Sequence, residues 1–267
     1  MRVLVTGGAG RLGVSVCQKL KDEGLRVRVF DLDTPRNRKS IKELRGGVDA
    51  VWGDITSHES VRKAMDGVDA VVHMAGILPP VSEEKPELAA RVNVGGTRVL
   101  LDVLKEQERG IPFVFTSSVA VFGPTPDSSR PISAEIDSPQ PDCTYGRTKL
   151  EAEELIRQSG IEHVILRLSA AMYTVFGVGD MKRIFSIPLN NRVETCHPED
   201  VAVAIVNAVS RFDDVKGHTL VVSGGPEHRM LYGEMIARIL DVIALPVPPP
   251  EKFNREPCYL DWYETGK

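Results

Sequence analysis

A tyrosine and a lysine lie four residues apart, at Tyr145 and Lys149, in a segment with a helical pattern. Residues with this spacing share one face of an α-helix, so we expect the phenol and the ammonium to be neighbours. A nearby positive charge favours the phenolate and lowers a tyrosine pKa from about 10 toward neutral pH. The pair therefore predicts a group that donates and accepts protons, although the same spacing also occurs in ordinary amphipathic helices.

Hydroxyl and amide side chains elsewhere could complete such a site. Ser117 and Ser118 follow an apolar run that begins near residue 112, so their hydroxyls would lie at the carboxyl end of a strand. Their alternative role is to cap that strand end. Asn93 lies beside two glycines inside a long helical segment, where all three are poor helix formers. It therefore indicates either a polar task or close packing at that point.

A glycine-rich segment, Gly7-Gly8-Ala9-Gly10-Arg11-Leu12-Gly13, follows the first apolar run of the chain and precedes an amphipathic helix. Glycines at G-x-G-x-x-G spacing let a strand turn sharply into a helix and let backbone N–H groups approach a pyrophosphate. The N-terminus of the helix adds unpaired donors and a partial positive charge. The segment predicts a dinucleotide site.

An acidic residue, Asp31, ends the second apolar run about 20 residues past the glycines, where a ribose 2′-hydroxyl is held in such sites. A carboxylate accepts hydrogen bonds from a ribose diol and repels a 2′-phosphate, which favours NAD over NADP. Arg36 and Arg38 follow closely and could bind a 2′-phosphate, so NADP stays open. Arginines in a polar loop are usually solvated, however.

The composition excludes several classes of partner. The chain has 267 residues and a net charge of −4, without a basic tract, which argues against nucleic acid as a partner. Apolar runs stay short of the roughly 18 residues that a membrane helix needs, so no membrane partner is expected. The first residues form a strand that leads into the glycine segment, which argues against a signal peptide.

Four cysteines are scattered along the chain, at Cys17, Cys143, Cys196 and Cys258, with no C-x-x-C pair. This pattern is typical of reduced thiols rather than of a disulfide framework or a metal site. We therefore expect a cytoplasmic protein without a metal centre.

Strand and helix patterns alternate along most of the chain, which predicts an α/β fold with a doubly wound parallel sheet. Strands are predicted near residues 3–6, 27–30, 48–52, 68–73, 112–116, 162–168 and 218–222. Helices are predicted near residues 11–23, 58–66, 86–107, 143–159, 198–210 and 230–241.

Two stretches, residues 123–142 and 169–195, break this alternation just after strands, at the edge where open α/β sheets bind ligands. We predict a dinucleotide-binding core of residues 1–168 with returning elements at 197–225. Residues 169–196 and 226–267 would form a small C-terminal substrate-binding lobe and tail. The aromatics of Asp261-Trp262-Tyr263 indicate that this tail docks.

The segments described so far belong to a larger set of motifs, which follow one another over about residues 1–225. In chain order they are Thr6-Gly7-x-x-Gly10-x-x-Gly13, Asp31, Gly53-Asp54-Ile55, His73-Met74-Ala75-Gly76, Asn93-Val94-x-Gly96-Thr97, Ser117-Ser118 with Val121-Phe122-Gly123, Tyr145-x-x-x-Lys149, Arg167 and His197-Pro198-Glu199-Asp200-Val201-Ala202. This set resembles the extended short-chain dehydrogenase/reductases, in particular the NAD-dependent epimerase/dehydratase family. The resemblance implies a Rossmann-type fold and a bound NAD.

The resemblance also implies a role for each matching residue. Tyr145 would be the catalytic acid and base, Lys149 its partner and a ligand of the nicotinamide ribose, and Ser118 the third catalytic group, with Ser117 as the alternative. The residues implied to contact the cofactor are Gly7, Gly10, Arg11, Leu12, Gly13, Asp31, Asp54, Ile55, Ala75, Gly76, Ile77, Asn93, Tyr145 and Lys149.

One departure from the family concerns length. Only about 30 residues separate Arg167 from His197, where nucleotide-sugar enzymes of the family have a longer segment with a basic nucleotide clamp. A shorter segment implies a smaller substrate or a more open pocket. Lys182, Arg183 and Arg192 are interpreted as surface charges rather than as diphosphate ligands.

The resemblance implies an NAD-dependent oxidoreductase of the epimerase/dehydratase kind, acting on a sugar, a nucleotide sugar or a sugar-derived alcohol. One alternative is a simple NAD(P)-dependent dehydrogenase or ketone reductase with a small hydroxy or keto substrate. Another is a dinucleotide-sensing protein without catalysis, although such proteins typically lose the tyrosine or the lysine. A homodimer through the helices near 86–107 and 143–159 is implied by the resemblance alone.

Overall fold

The computed structural model of the protein describes residues 1–107, 109–125, 129–173 and 184–265. Its strands are β1 (Arg2–Thr6), β2 (Arg26–Asp31), β3 (Asp49–Trp52), β4 (Ala70–His73), β5 (Phe113–Ser118), β6 (His163–Leu168), β7 (Ala170–Ala171), β8 (Arg192–Cys196), β9 (Thr219–Val222) and β10 (Arg229–Leu231). Seven of them form a sheet in the order β3-β2-β1-β4-β5-β6-β9, in which every neighbouring pair is parallel.

The α-helices are α1 (Arg11–Asp22), α2 (Pro35–Lys42), α3 (His58–Met65), α4 (Val81–Glu84), α5 (Pro86–Ala89), α6 (Gly96–Lys105), α7 (Thr144–Gln158), α8 (Pro198–Ser210), α9 (Phe212–Val215) and α10 (Tyr232–Val242). A π-helical segment, Ala90–Gly95, joins α5 to α6. Among the described residues, no helix is both long enough and apolar enough to cross a bilayer.

The sheet is covered on both faces, which explains why its strands are apolar throughout. Alternate residues of a strand point to opposite faces. Val3 and Val5 of β1 accordingly belong to a core shared with α1 and α8, whereas Leu4 belongs to a second core with α3, α6 and α7. All three valine and leucine side chains are fully buried. The fold confirms the predicted doubly wound α/β class.

The order of the strands creates a crevice at one place. The chain passes from β1 to β2 and β3 on one side, and then returns to place β4 on the other side of β1. At such a switch point, the loops that follow β1 and β4 diverge and leave a cleft outside the carboxyl ends of the strands. The glycine segment and residues 74–80 therefore face each other across this cleft.

Helix α2 was not predicted, because its residues were interpreted as a polar loop. It forms because Thr34 caps it, with the Thr34 hydroxyl accepting a hydrogen bond from the Asn37 N–H at 3.1 Å. Pro35 then occupies the first turn, where its missing N–H costs nothing. The predicted long helix over 86–107 is divided into α5, the π-helical segment and α6.

A smaller sheet, in the order β10-β8-β7, lies beyond the carboxyl end of β6 and packs with α10. We call this part of the structure the lobe, meaning described residues 169–196 and 226–265. The C-terminal segment packs against the rest of the structure through Tyr263, which is fully buried. The Tyr263 ring stacks with that of Phe122 at 6.3 Å between centroids, and its backbone forms a β-bridge with Ile132. The tail aromatics are therefore docked, as their sequence indicated.

Candidate active site

A cavity of about 1760 Å³ runs along the carboxyl ends of β1, β4 and β5 and continues into the lobe. At one end it is lined by the glycine segment and Asp31, and in the middle by residues 74–80 and the end of β5. At the lobe end its lining is largely apolar, with Ile187, Val193, Ile236 and Ile239 among the side chains. The predicted site residues other than Asn93 therefore line a single crevice.

The glycine segment forms a cradle in which side chains would not fit. Gly7 has φ +71°, and a Cβ at this position would lie 2.8 Å from the Ala75 nitrogen. A Cβ at Gly13 would lie 2.4 Å from the Gly7 carbonyl oxygen. Helix α1 begins after Gly10 without a side-chain cap, so its first N–H groups are left for an anion at the crevice. This arrangement fits a dinucleotide pyrophosphate.

The Asp31 carboxylate is held in place at the end of β2. Its Oδ2 accepts a hydrogen bond from the Ala9 N–H at 3.0 Å, and its Oδ1 accepts from the Leu32 N–H at 2.8 Å and the Asn37 amide at 3.1 Å. Partial burial raises the pKa of Asp31, and the two backbone hydrogen bonds oppose that rise. The carboxylate is thus oriented at the cavity wall, where a ribose diol would be bound.

The two arginines weighed as ligands of a 2′-phosphate have different surroundings. Arg38 pairs with Asp33 at 2.5 Å and lies over the Trp52 ring at 5.3 Å, so its guanidinium is already engaged. Arg36 lines the cavity near Asp31.

Asp54 and Ile55 follow β3 and both line the cavity. The Oδ1 atom of Asp54 accepts hydrogen bonds from the N–H and the hydroxyl of Thr56, each at 2.9 Å, so this carboxylate also has the turn role that its position allows. Ile55 is buried and packs closely on Gly96. A Cβ added at Gly96 would lie 2.8 Å from Cγ2 of Ile55. Gly96 is therefore explained by packing.

Asn93 lies in the π-helical segment and joins two parts of the site. Its Oδ1 accepts a hydrogen bond from the Ile77 N–H at 2.7 Å, while its amide donates to the Ile77 carbonyl at 3.1 Å and to the Thr148 hydroxyl at 2.9 Å. Gly76 allows this approach, because a Cβ there would lie 3.1 Å from Asn93 Oδ1. One buried amide thus holds the middle of the cavity wall against α7.

Arg11, predicted as a cofactor contact, opens α1 at the cavity and lies over the ring of Tyr173 at 4.0 Å. Leu12, Ala75 and Ile77 also line the cavity. Behind this wall, His73 is hydrogen-bonded to the hydroxyls of Thr6 and Thr97. Burial, with a smaller effect of Lys149, lowers the pKa of His73 to about 3, so this imidazole is neutral.

Tyr145 and Ser118 are brought together where α7 begins beside the end of β5. The Ser118 hydroxyl accepts from the Ala120 N–H at 3.2 Å, and Ser118 is near enough to the Tyr145 phenol to act on its pKa. Burial nevertheless raises the pKa of Tyr145 to about 12, and the Ser118 hydrogen bond opposes that rise only partly. The expected lowering of this pKa is therefore wrong for the protein alone, because desolvation dominates and Lys149 is not among the groups that shift the pKa of the phenol.

Lys149 lies one turn further along α7 and is 4% exposed. Its Nζ is 4.4 Å from the centroid of the Phe115 ring. Burial lowers the pKa of Lys149 to about 8, and Glu153 acts in the opposite direction. The ammonium is thus largely charged at neutral pH but readily loses a proton.

Ser117 faces away from the phenol. Its hydroxyl donates to Glu153 Oε1 at 2.5 Å, and the same buried carboxylate pairs with Arg167 at 2.8 Å and with Arg157 at 2.6 Å. Of the two serines considered from sequence, Ser118 is therefore the one that contacts Tyr145.

Three basic residues, Lys182, Arg183 and Arg192, were interpreted as surface charges. Arg192 pairs with Asp261 at 2.5 Å and lies over the Trp262 ring at 5.0 Å, so it is used inside the lobe. Lys182 and Arg183 lie outside the described residues.

Three residues at the site were missed from sequence. Asn37 orients Asp31, Tyr173 contacts Arg11, and Glu83 contacts the start of α7. None of them belongs to a motif that the sequence analysis identified; Tyr173 and Glu83 act on distant parts of the chain, whereas Asn37 lies six residues from Asp31. The capping pattern Thr34-Pro35 could have located Asn37 on a helix.

A sequence profile of the NAD dependent epimerase/dehydratase family matches residues 3–223. The chain belongs to this family. The match covers the main sheet, the cradle and the Tyr145 helix together, and it confirms the resemblance and the NAD-dependent character that the motifs indicated.

Two relatives illustrate the range of the family. The UDP-glucose 4-epimerase of Azospirillum brasilense is 36% identical over 182 residues, which cover 66% of this chain and 49% of the relative. A 3 beta-hydroxysteroid dehydrogenase/Delta 5→4-isomerase of Mycobacterium tuberculosis is 29% identical over 235 residues, which cover 82% of this chain and 58% of the relative. The chain spans about half the length of the curated relatives it matches.

Among solved structures, the UDP-glucose 4-epimerase of Thermotoga maritima, determined with UDP-glucose, superimposes with a TM-score of 0.81 at 20% identity. The match covers 99% of this chain and 90% of that chain. At this level of identity the likeness shows the shared fold.

Proposed function

We propose that the chain is an NAD-dependent oxidoreductase that interconverts a secondary alcohol and a ketone, of the epimerase/dehydratase type, with a sugar or a sugar-derived alcohol as substrate. The observation that carries this proposal is that Ser118, Tyr145 and the buried Lys149 line the middle of one cavity, with Tyr145 and Lys149 one turn apart on α7. Residues 169–196 and 226–267, which include the lobe, would bind the substrate.

The residues along the cavity divide the binding of NAD among them. The N–H groups that follow Gly10 would bind the pyrophosphate, Asp31 the ribose diol, and Asp54 with Ile55 the adenine side. Residues 75–77 would line the middle, supported by Asn93. When bound, the cofactor would supply a hydride acceptor for the substrate carbon as NAD⁺ and a hydride donor as NADH.

Tyr145 would transfer the proton that accompanies the hydride. With a pKa of about 12 the phenol is protonated at neutral pH, so it can donate to a ketone oxygen. In the reverse direction the phenolate has to be stabilised, and the adjacent Lys149 ammonium supplies the positive charge. The Ser118 hydroxyl would hold the substrate oxygen as its charge changes.

A second candidate substrate is an apolar alcohol, handled by a simple dehydrogenase. The apolar lobe side chains Ile187, Val193, Ile236 and Ile239 favour it, and so does the relative named as a hydroxysteroid dehydrogenase. A polyhydroxylated sugar would leave hydroxyls without partners against such a wall. The homodimer and the cytoplasmic location stay predictions.

Replacing Tyr145 with phenylalanine tests the proposal. We expect turnover to fall by about 10²-fold or more, since a general acid contributes on that order, while the NAD dissociation constant stays nearly unchanged. Absorbance of reduced nicotinamide, with product analysis, would be followed over sugars, uronates, simple alcohols and a hydroxysteroid. Tyr173→Phe is the matched control, because Tyr173 also lines the cavity.

The outcomes separate the candidates. Net NADH formation favours a dehydrogenase, and product without NADH accumulation favours an epimerase. Full activity of Tyr145→Phe would remove Tyr145 from the mechanism. Tight NAD binding with no turnover on any substrate would favour the sensing protein instead.

A further inference from the structure

The helix that carries Tyr145 has a weak cap of its own. Helix α7 begins at Thr144, directly after Cys143, whose Sγ accepts a hydrogen bond from the Gly146 N–H at 3.4 Å. Thiol sulfur is a weak acceptor. The N–H groups of Thr144 and Tyr145 belong to the first turn, which has no intrahelical partners for them. Tyr145 thus lies where a helix frays most readily.

A carboxylate from a distant segment occupies this helix end. Glu83 Oε2 accepts a hydrogen bond from the Thr144 N–H at 2.9 Å, and Oε1 accepts from the Tyr145 N–H at 3.0 Å. The Ser82 hydroxyl, which is fully buried, donates to Oε1 at 3.0 Å and fixes the carboxylate from the other side. A negative charge is favourable at a helix N-terminus.

The protonation state of Glu83 follows from its burial and its hydrogen bonds. Partial burial works to raise the pKa of Glu83, but the hydrogen bonds from Tyr145, Thr144 and Ser82 outweigh it and hold this pKa below its ordinary value. The Glu83 carboxylate, which we call the clamp of α7, is therefore ionised at neutral pH.

We propose that Glu83 is a positioning residue that fixes the Tyr145 phenol in the crevice through the backbone of α7. This inference rests on the proposed role of Tyr145. The cavity wall is therefore attached to α7 at two points: Asn93 links Ile77 to Thr148, and Glu83 binds the N–H groups at the start of the helix. A lost clamp would let the first turn of α7 shift while the glycine cradle stays in place.

Glu84 offers a matched control. It follows Glu83 directly, lies in the same short helix and lines the same cavity, and it is exposed. Within the described part of the chain, the hydrogen bonds to the first N–H groups of α7 come from Glu83 rather than from Glu84.

The first readout needs no substrate. Amide hydrogen exchange at Thr144 and Tyr145 should rise about 10-fold or more in Glu83→Ala, while Glu84→Ala matches the parent protein. Glu83→Gln keeps one acceptor oxygen and should give an intermediate rise, and it serves if the alanine variant does not fold. Unchanged exchange in Glu83→Ala and Glu83→Gln overturns the clamp.

The second readout uses the substrate found for the parent protein. We expect kcat to fall about 10- to 100-fold in Glu83→Ala, with a small change in the substrate KM and in the NAD dissociation constant, because misplacement of a reacting group acts on the chemical step. Parent kcat, or an equal loss in Glu84→Ala, overturns the positioning role. Full activity of Tyr145→Phe instead refutes the proposed function, and the exchange measurement on Glu83→Ala still reports on the clamp.

Discussion

Asp31 illustrates how much of the site depends on the surroundings of a single side chain. Its carboxylate accepts hydrogen bonds from Ala9, Leu32 and Asn37, so it keeps one orientation before any ligand arrives. An oriented acceptor loses little freedom when it binds a diol, which favours affinity. It also places a negative charge where a 2′-phosphate would lie.

Replacing Asp31 with alanine should weaken NAD binding roughly 10- to 100-fold, the amount expected for hydrogen bonds to a charged group, and should narrow the preference over NADP. Dissociation constants for both dinucleotides, measured by calorimetry, check this. Asp33→Ala is the control for NAD affinity, since Asp33 is exposed and pairs with Arg38. An unchanged preference in Asp31→Ala would place the specificity elsewhere.

Tyr145 shows where reasoning from sequence stops at this scale. The spacing of Tyr145 and Lys149 correctly placed both on one helix, but the effect of burial on a pKa depends on everything packed around the group. Glu83 was not predicted at all, because it acts on α7 across 61 residues of sequence. A contact between residues so far apart in the chain leaves no pattern of local spacing in the sequence.

At the scale of elements, the segment from residue 86 to residue 105 departs most from expectation. The predicted continuous helix contains a π-helical segment at Ala90–Gly95, and such segments are frequent at functional sites. The extra residue in the turn directs Asn93 at the Ile77 backbone. The poor helix formers recognised in the sequence thus had a structural reason.

Asn93→Ala should lower the free energy of unfolding by about 2–4 kcal/mol, because the partly buried Ile77 N–H and carbonyl both lose their side-chain partner and the Thr148 hydroxyl keeps only its hydrogen bond to the Tyr145 carbonyl. It should also weaken NAD binding, since the cavity wall at Ile77 loses its support. Urea denaturation and NAD titration measure the two effects. Thr148→Val removes the hydrogen bonds of its hydroxyl with Asn93 and with the Tyr145 carbonyl but keeps both hydrogen bonds between Asn93 and Ile77, so it should cost less. An equal cost in both variants would contradict this.

The elements of the main sheet were predictable because their patterns are strong. Strands buried on both faces read as apolar runs, and each helix between them has one apolar face. Strands β7 and β10 were missed because they have two and three residues, too few to establish an alternation. Strand β8 has five residues but lies mostly in the stretch 169–195, whose pattern is mixed. Their pairing depends on residues far apart in the chain.

At the scale of the whole molecule, the burial of Lys149 makes the free energy of unfolding depend on pH. Burial lowers its pKa from 10.5 to about 8, so between these values the unfolded chain binds more protons than the folded protein. Stability gained from deprotonation is therefore complete above pH 10.5 and is lost as the pH falls through 8. The pKa of Tyr145, raised from 10.0 to about 12, acts only above pH 10.

The free energy of unfolding of the parent protein, relative to Lys149→Met, should thus rise between pH 8 and pH 10 by up to about 1.4 kcal/mol per pH unit. Denaturant titrations of both proteins at pH 7, 8, 9 and 10 measure the difference, which should be nearly constant below pH 8. A difference that stays constant across the whole range would show that Lys149 is hydrated in solution.

All of the proposed binding and catalytic groups lie at the carboxyl ends of the strands, and the turns before β6 and β9, which contain Gly160 and Gly217, lie at the other end of the sheet. A strand of about six residues separates the two rims by roughly 20 Å. A biotin or fluorophore attached beside those turns would anchor the molecule to a sensor chip with its crevice facing outward. Dinucleotide and substrate titrations could then be run on immobilised protein without obstructing entry.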